Sequence, residues 1–172
     1  LDVYIIDLAK WAQVSVASAD SLPGKRLYLN GSELKDIVIP SGVTFVGSYA
    51  FSFSSLTSVT VPDTVTTVGE GAFCGCSNLQ SIKLSKNLTE ISADMFRGSA
   101  ALKSIEIPDS VRSIGASAFK DCISLESMFI PASVTYIGED AFLNACGSMK
   151  EFEFEVKDGW VCAATGNDYK IY

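Results

Sequence analysis

The 172-residue sequence predicts an α/β solenoid: a right-handed coil with a parallel β ladder on one side, short helical turns on the far side and irregular caps at both ends. Three observations carry this reading. Phe51, Phe73, Phe96, Phe119 and Phe142 recur at spacings of 22, 23, 23 and 23, and Pro40, Pro62, Ser85, Pro108 and Pro131 repeat the same intervals. Each unit opens on a period-2 alternation, as in Leu102-x-x-Ile105-x-Ile107-Pro108, the pattern of a half-buried strand. Each then closes on a segment such as Val111-x-x-Ile114-Gly115-x-x-Ala118-Phe119. A unit this short cannot bury its apolar row alone, so successive units must stack, and the crossover rule makes the coil right-handed.

Composition agrees and excludes several functions. The chain is 48% apolar with positive mean hydropathy, enough for a substantial core in one domain. Lys and Arg total 13 against 20 Asp and Glu, a net charge of -7, so no basic surface suited to nucleic acid is expected. Histidine is absent, which removes imidazole from catalysis and metal binding. No apolar run is long enough to span a membrane, and no signal peptide opens the chain. Because it begins at Leu1, it reads as a mature product or excised piece whose signal or anchor is missing.

Taken in order, residues 1–33 form a cap and hairpin lead-in. Val3-Tyr4-Ile5 predicts a strand, Asp7 caps a helical turn bearing Leu8 and Trp11, and Trp11 plugs the open end of the array. Asn30-Gly31 between alternating apolar positions predicts a hairpin, since both turn residues need positive φ. Residues 34–154 form the array, with a sixth strand over Met149 to Phe154. Proline after each strand stops the ladder, and Gly47, Gly69, Gly115 and Gly138 are expected at positive-φ corners. Residues 155–172 leave the pattern and read as a second cap carrying Trp160, Tyr169, Ile171 and Tyr172. One unit, residues 79–101, departs from the template with Ser85 for Pro, Ser92 for Gly, Met95 for Ala and Ser99 for Cys. The plain reading is drift in a tolerant coil; the sharper one is a looser coil that engages a partner.

No catalytic, cofactor or metal site is expected. Cys76 and Cys122 share a column with Ser54 and Ser99 and read as small buried ladder residues. Cys74-Gly75-Cys76 lacks the further ligands of a metal site, and Cys146 could bridge to Cys122 or Cys162. Gly69-Glu70-Gly71-Ala72-Phe73-Cys74-Gly75 resembles a phosphate loop only superficially, because it falls on the repeat's own positions. A hydrolase built on carboxylate pairs finds no convergent pair. The outward strand positions remain, in two rows: Asp36, Ser58, Ser81, Ser104, Ser127, Glu151, and Val38, Thr60, Lys83, Glu106, Phe129, Glu153. Lys83 and Glu106 are placed to pair across strands, and Phe129 is an apolar anchor with an acidic rim. The expected interaction face is therefore Ser81, Lys83, Ser104, Glu106, Ser127, Phe129 and Glu153.

The recurring pattern, as in Leu125-x-x-Met128-x-Ile130-Pro131-x-x-Val134-x-x-Ile137-Gly138-x-x-Ala141-Phe142, resembles the BspA-type leucine-rich repeat family over residues 34–154. The lead-in Leu27-Tyr28-Leu29-Asn30-Gly31 through Pro40 is similar to that family's as well. The resemblance implies a bacterial secreted or cell-surface protein with roles in adhesion and host interaction, and it carries over no catalytic residues. The expected function is a non-catalytic module binding a protein or glycan ligand as a monomer, with no nucleic acid and no membrane insertion. The alternative is a structural spacer or stalk with no ligand of its own.

Overall fold

The structure is a computed structural model that describes residues 2–17 and 26–145 and, for their backbone alone, the strands at 152–153, 162–165 and 168–171. The cap begins with β1 (Asp2–Ile5) and α1 (Leu8–Ala12), where the Asp7 carboxylate accepts from the Lys10 N–H as foreseen. β1 lies parallel to β2 (Arg26–Leu29), which turns through Asn30 and Gly31, at φ 53° and 81°, into the antiparallel β3 (Ser32–Glu33). Trp11 packs against the core and its indole N–H donates to the Ala50 carbonyl at 3.0 Å, tying the cap to the first coil. Among the described residues no helix is long and apolar enough to cross a membrane.

Each coil of the array contributes two short strands rather than the one the alternation predicts. The first set, β4 (Asp36–Val38), β6 (Ser58–Thr60), β8 (Ser81–Lys83), β10 (Ser104–Glu106) and β12 (Ser127–Phe129), forms the expected parallel face. The second set follows the proline corner: β5 (Phe45–Val46), β7 (Thr67–Val68), β9 (Glu90–Ile91), β11 (Ser113–Ile114) and β13 (Tyr136–Ile137), also paired in parallel. Two residues per coil are too few for an alternation to be read in one unit.

The Ala-Phe segments on the far side are hydrogen-bonded turns, not the helical turns expected. Alternate N–H groups reach the next coil, Tyr49 to Glu70 O and Phe51 to Ala72 O, while Ala50 and Ser52 bond back three residues. An α-helix would spend every one of those N–H groups within its own segment. The geometry demands positive φ at two positions per coil, four residues apart: Tyr49 and Phe53, Gly71 and Gly75, Asp94 and Gly98, Ser117 and Asp121, Asp140 and Asn144. Gly71 and Gly75 have a second constraint, since a Cβ on either would strike the ring of Tyr49 or Phe53. This accounts for the glycine-rich stretch that superficially suggests a phosphate loop.

The corner glycines Gly47, Gly69, Gly115 and Gly138 do not have positive φ, contrary to expectation. Their requirement is close approach. A Cβ on Gly115 would lie 2.4 Å from Ala93 N, and one on Gly69 2.5 Å from Ser48 N, so each seats directly on the backbone of the preceding coil.

Inside, the five phenylalanines stack with centroids 5.3 to 6.0 Å apart and near-parallel rings. Beside them Cys76, Ser99 and Cys122 are buried, and each donates to a phenylalanine carbonyl of the preceding coil: Phe51, Phe73 and Phe96. A small donor is what that column needs, which explains why Ser and Cys interchange there. Cys146 and Cys162 lie outside the residues whose side chains are described, as do Trp160, Tyr169, Ile171 and Tyr172. Of the sixth strand, β14 (Phe152–Glu153) is described, paired antiparallel with β15 (Cys162–Thr165), which pairs with β16 (Asp168–Ile171).

Candidate functional site: a groove between the third and fourth coils

Alternation delivers the outward rows as predicted. Ile82 and Ile105 are buried, and their neighbours Ser81, Lys83, Ser104 and Glu106 are exposed. Phe129, 45% exposed, continues the row of Lys83 and Glu106 one coil on. Ser127 pairs with Ser104 through its backbone, and Glu153 stands opposite Ala163; the side chains of both lie outside the described residues. At the other end of the rows, Ser58 and Thr57 donate to the Asp36 carboxylate at 2.6 and 2.8 Å. They hold that carboxyl below the usual carboxylate range.

The ladders are not continuous across the divergent coil. β8 is laddered to β6 and β9 to β11, but among the described residues no ladder joins β8 to β10 or β7 to β9. The third coil thus goes with the second on the front face and with the fourth on the second face. The flanking backbone bonds tell the same story. Gln80 N donates to Thr57 O and Val61 N to Lys83 O. Their counterparts one coil on, Lys103 to Gln80 and Leu84 to Glu106, are missing among the described residues; the first marks the break, since the second is missing also between Ile107 and Phe129, where the ladder continues.

Side chains account for both breaks. Ser92 stands in the column that elsewhere is glycine because the coils touch; its Cβ holds the third coil off the second, and its hydroxyl donates to the Val68 carbonyl. At the corner, the opposite happens. The Ser85 hydroxyl donates to Val65 O at 2.6 Å, Lys86 N to the Asp63 carboxylate at 2.9 Å and the Asn87 amide to Asp63 O at 2.8 Å. Three bonds tie this corner to the second coil, while one, from the Ser110 hydroxyl to Leu88 O at 2.6 Å, ties it to the fourth.

The gap left behind is a groove of about 340 Å³. Lys83 and Lys86 line it from the third coil, Glu106 and Asp109 from the fourth, and Ile82, Leu84 and Pro108 supply apolar surface. Lys83 and Glu106 do not pair as the sequence suggested: no ion pair within 4.0 Å joins them, nor Lys86 to Asp109, among the described residues. No backbone ladder joins the strands that carry them, among the described residues. Sequence reasoning placed Lys83 and Glu106 on the site but missed Lys86, Asp109 and Ser110. The available signal was the corner column Asp63, Lys86, Asp109, which alternates in sign through the divergent coil. Among the described residues no three His, Cys, Asp or Glu side chains converge as metal ligands.

Comparison with known proteins finds relatives for the fold. The chain resembles a leucine-rich cell surface protein of Faecalibacterium prausnitzii at 39% identity and a TM-score of 0.67, over 72% of this chain and 32% of that one. It resembles a leucine-rich repeat protein of T. pallidum at 33% identity and TM-score 0.61, over 65% and 55% of the two chains. A leucine-rich repeat protein of Bacteroides ovatus matches at 32% identity and TM-score 0.62, over 72% and 33%. The chain thus spans about a third to about a half of these relatives. No curated protein matches it. The BspA type leucine rich repeat region matches residues 44–158 in six copies, and on that match the chain belongs to the BspA-type leucine-rich repeat family.

Proposed function

We propose that this chain is a non-catalytic recognition module of a bacterial cell-surface or secreted protein, and that it binds a protein through the outward face of its solenoid. The observation that carries the reading is the row Lys83, Glu106, Phe129: two exposed charges that do not neutralise each other, beside a large exposed apolar ring. A face that served only to keep the array soluble would gain from closing the ion pair and from a polar residue at 129. Stacked repeats present extended surfaces of this kind, on which an aromatic anchor with a polar rim concentrates binding energy. The cell-surface relative from Faecalibacterium prausnitzii supports the location. A protein ligand is favoured over a glycan because Lys83 and Glu106 are charged and the groove between them carries no aromatic platform for a sugar ring.

The test is a binding screen of the chain against host extracellular-matrix proteins and glycans, with Phe129→Ala as control. A protein ligand whose affinity falls at least about tenfold in the variant supports the reading. Binding that Phe129→Ala leaves unchanged removes this face, and absence of any ligand favours a spacer role.

A further inference from the structure

We infer that the groove between the third and fourth coils is a peptide-binding site, taking an extended segment in which an acidic and a basic side chain are neighbours. The inference rests on the protein-recognition reading and names its chemistry. One bank carries the ammonium groups of Lys83 and Lys86, the other the carboxylates of Glu106 and Asp109, and neither bank is ion-paired to the other. Ile82, Leu84 and Pro108 supply apolar surface between them.

Each alternative occupant meets a penalty that the mixed segment does not. A polyanion satisfies the lysines but meets Glu106, Asp109 and a chain of net charge -7. A polycation satisfies the carboxylates and meets both lysines. An apolar ligand buries four charges without partners, which is costly. An extended peptide running along the groove projects successive side chains to opposite sides. An acidic residue then faces the lysine bank while its neighbour, if basic, faces the carboxylates. Its amides also suit the lining, since Leu84 N–H and Glu106 C=O lack the bond that Val61 and Lys83 exchange one coil earlier. The groove coincides with the coil that carries Ser85 and Ser92 in place of the repeat's proline and glycine.

The experiment uses three capped peptides of equal length, alternating Glu-Lys, all-Glu and all-Lys, titrated into the 172-residue chain at low ionic strength and followed by amide chemical shifts. The alternating peptide is expected to bind at least about tenfold tighter than either homopolymer, with shifts centred on Leu84 and Ser110. Lys83→Glu with Lys86→Glu makes both banks acidic and should transfer the preference to all-Lys. Adding Glu106→Lys and Asp109→Lys reverses both banks and should restore the preference for the alternating peptide. All four side chains are on the surface, and unfolding curves of the variants confirm that they fold. A parent that prefers all-Lys, shifts that avoid the groove, or no saturable binding of the alternating peptide would overturn the assignment. These outcomes leave the broader reading separable: a protein ligand sensitive to Phe129→Ala but indifferent to bank reversal retains the module and removes the groove.

Discussion

The Ser92 hydroxyl donates to the Val68 carbonyl in the place where the backbone N–H groups of Gly69, Gly115 and Gly138 reach Val46, Ile91 and Ile114. One side chain has taken over a bond that the other coils make with the main chain, and the cost is local contact between the second and third coils on that face. The coil is not simply loose: its stacked turns and its phenylalanine remain continuous with both neighbours.

Adding a methyl group to this column should therefore hurt everywhere except at the divergent coil. Gly115→Ala forces a Cβ against Ala93 N and is expected to destabilise by about 1–3 kcal/mol through overpacking. Ser92→Gly restores the column at the expense of backbone entropy, and the two effects should leave stability within about 1 kcal/mol of the parent. Urea unfolding of both variants decides; equal costs would contradict the close-approach account.

The phenylalanine stack sets the largest energetic scale. Phe119 is fully buried between Phe96 and Phe142, and Phe119→Ala should cost about 3–5 kcal/mol. An unchanged thermal transition would contradict the register.

The Ser and Cys column makes a finer prediction. Ser99→Ala removes one of two donors to the Phe73 carbonyl, which keeps the Cys76 N–H, and should cost about 0.5–1.5 kcal/mol. Ser99→Cys, which copies Cys76 and Cys122, should cost measurably less than Ser99→Ala, because those thiols already make the same bond. Differential scanning calorimetry separates the two.

Acid should weaken the lead-in first. Hydrogen bonds from Lys35 and Ser55 hold the Glu33 carboxyl below its usual range, as Ser58 and Thr57 hold Asp36. A depressed folded value means that the stability these groups contribute is present above their ordinary unfolded values and is lost as pH falls through the folded ones. Melting temperature measured from about pH 6 to about pH 2 should fall less steeply for Asp36→Asn than for the parent. Superimposable acid limbs would show that the bonds to Asp36 contribute nothing.

The sequence made some of this architecture readable and hid the rest for physical reasons. The Phe51-to-Phe142 column, the Asn30-Gly31 hairpin and the Asp7 cap each depend on residues close in sequence or on strict periodicity, and all are seen. Gly115 misled because glycine serves two purposes, positive φ and close approach, and only neighbours in space reveal which. The true positive-φ columns carry Tyr, Phe, Gly, Asp, Ser and Asn, a mixture in which the Gly, Asp and Asn enrichment was the overlooked signal. Lys83 and Glu106 could be placed on the outward row by counting. Lys86 and Asp109 could not be joined to them, because the groove lies where the ladder between β8 and β10 is interrupted, which counting along the sequence does not show.

Amide hydrogen exchange at the divergent coil tests the account most directly. If the ladders are interrupted there, Leu84, Thr89 and Ser92 exchange markedly faster than Val61, Thr66 and Gly69 in the preceding coil, or Arg112 and Gly115 in the following one. Uniform protection of all eight would mean that the ladders are continuous, and the groove with its open charges would have no structural basis.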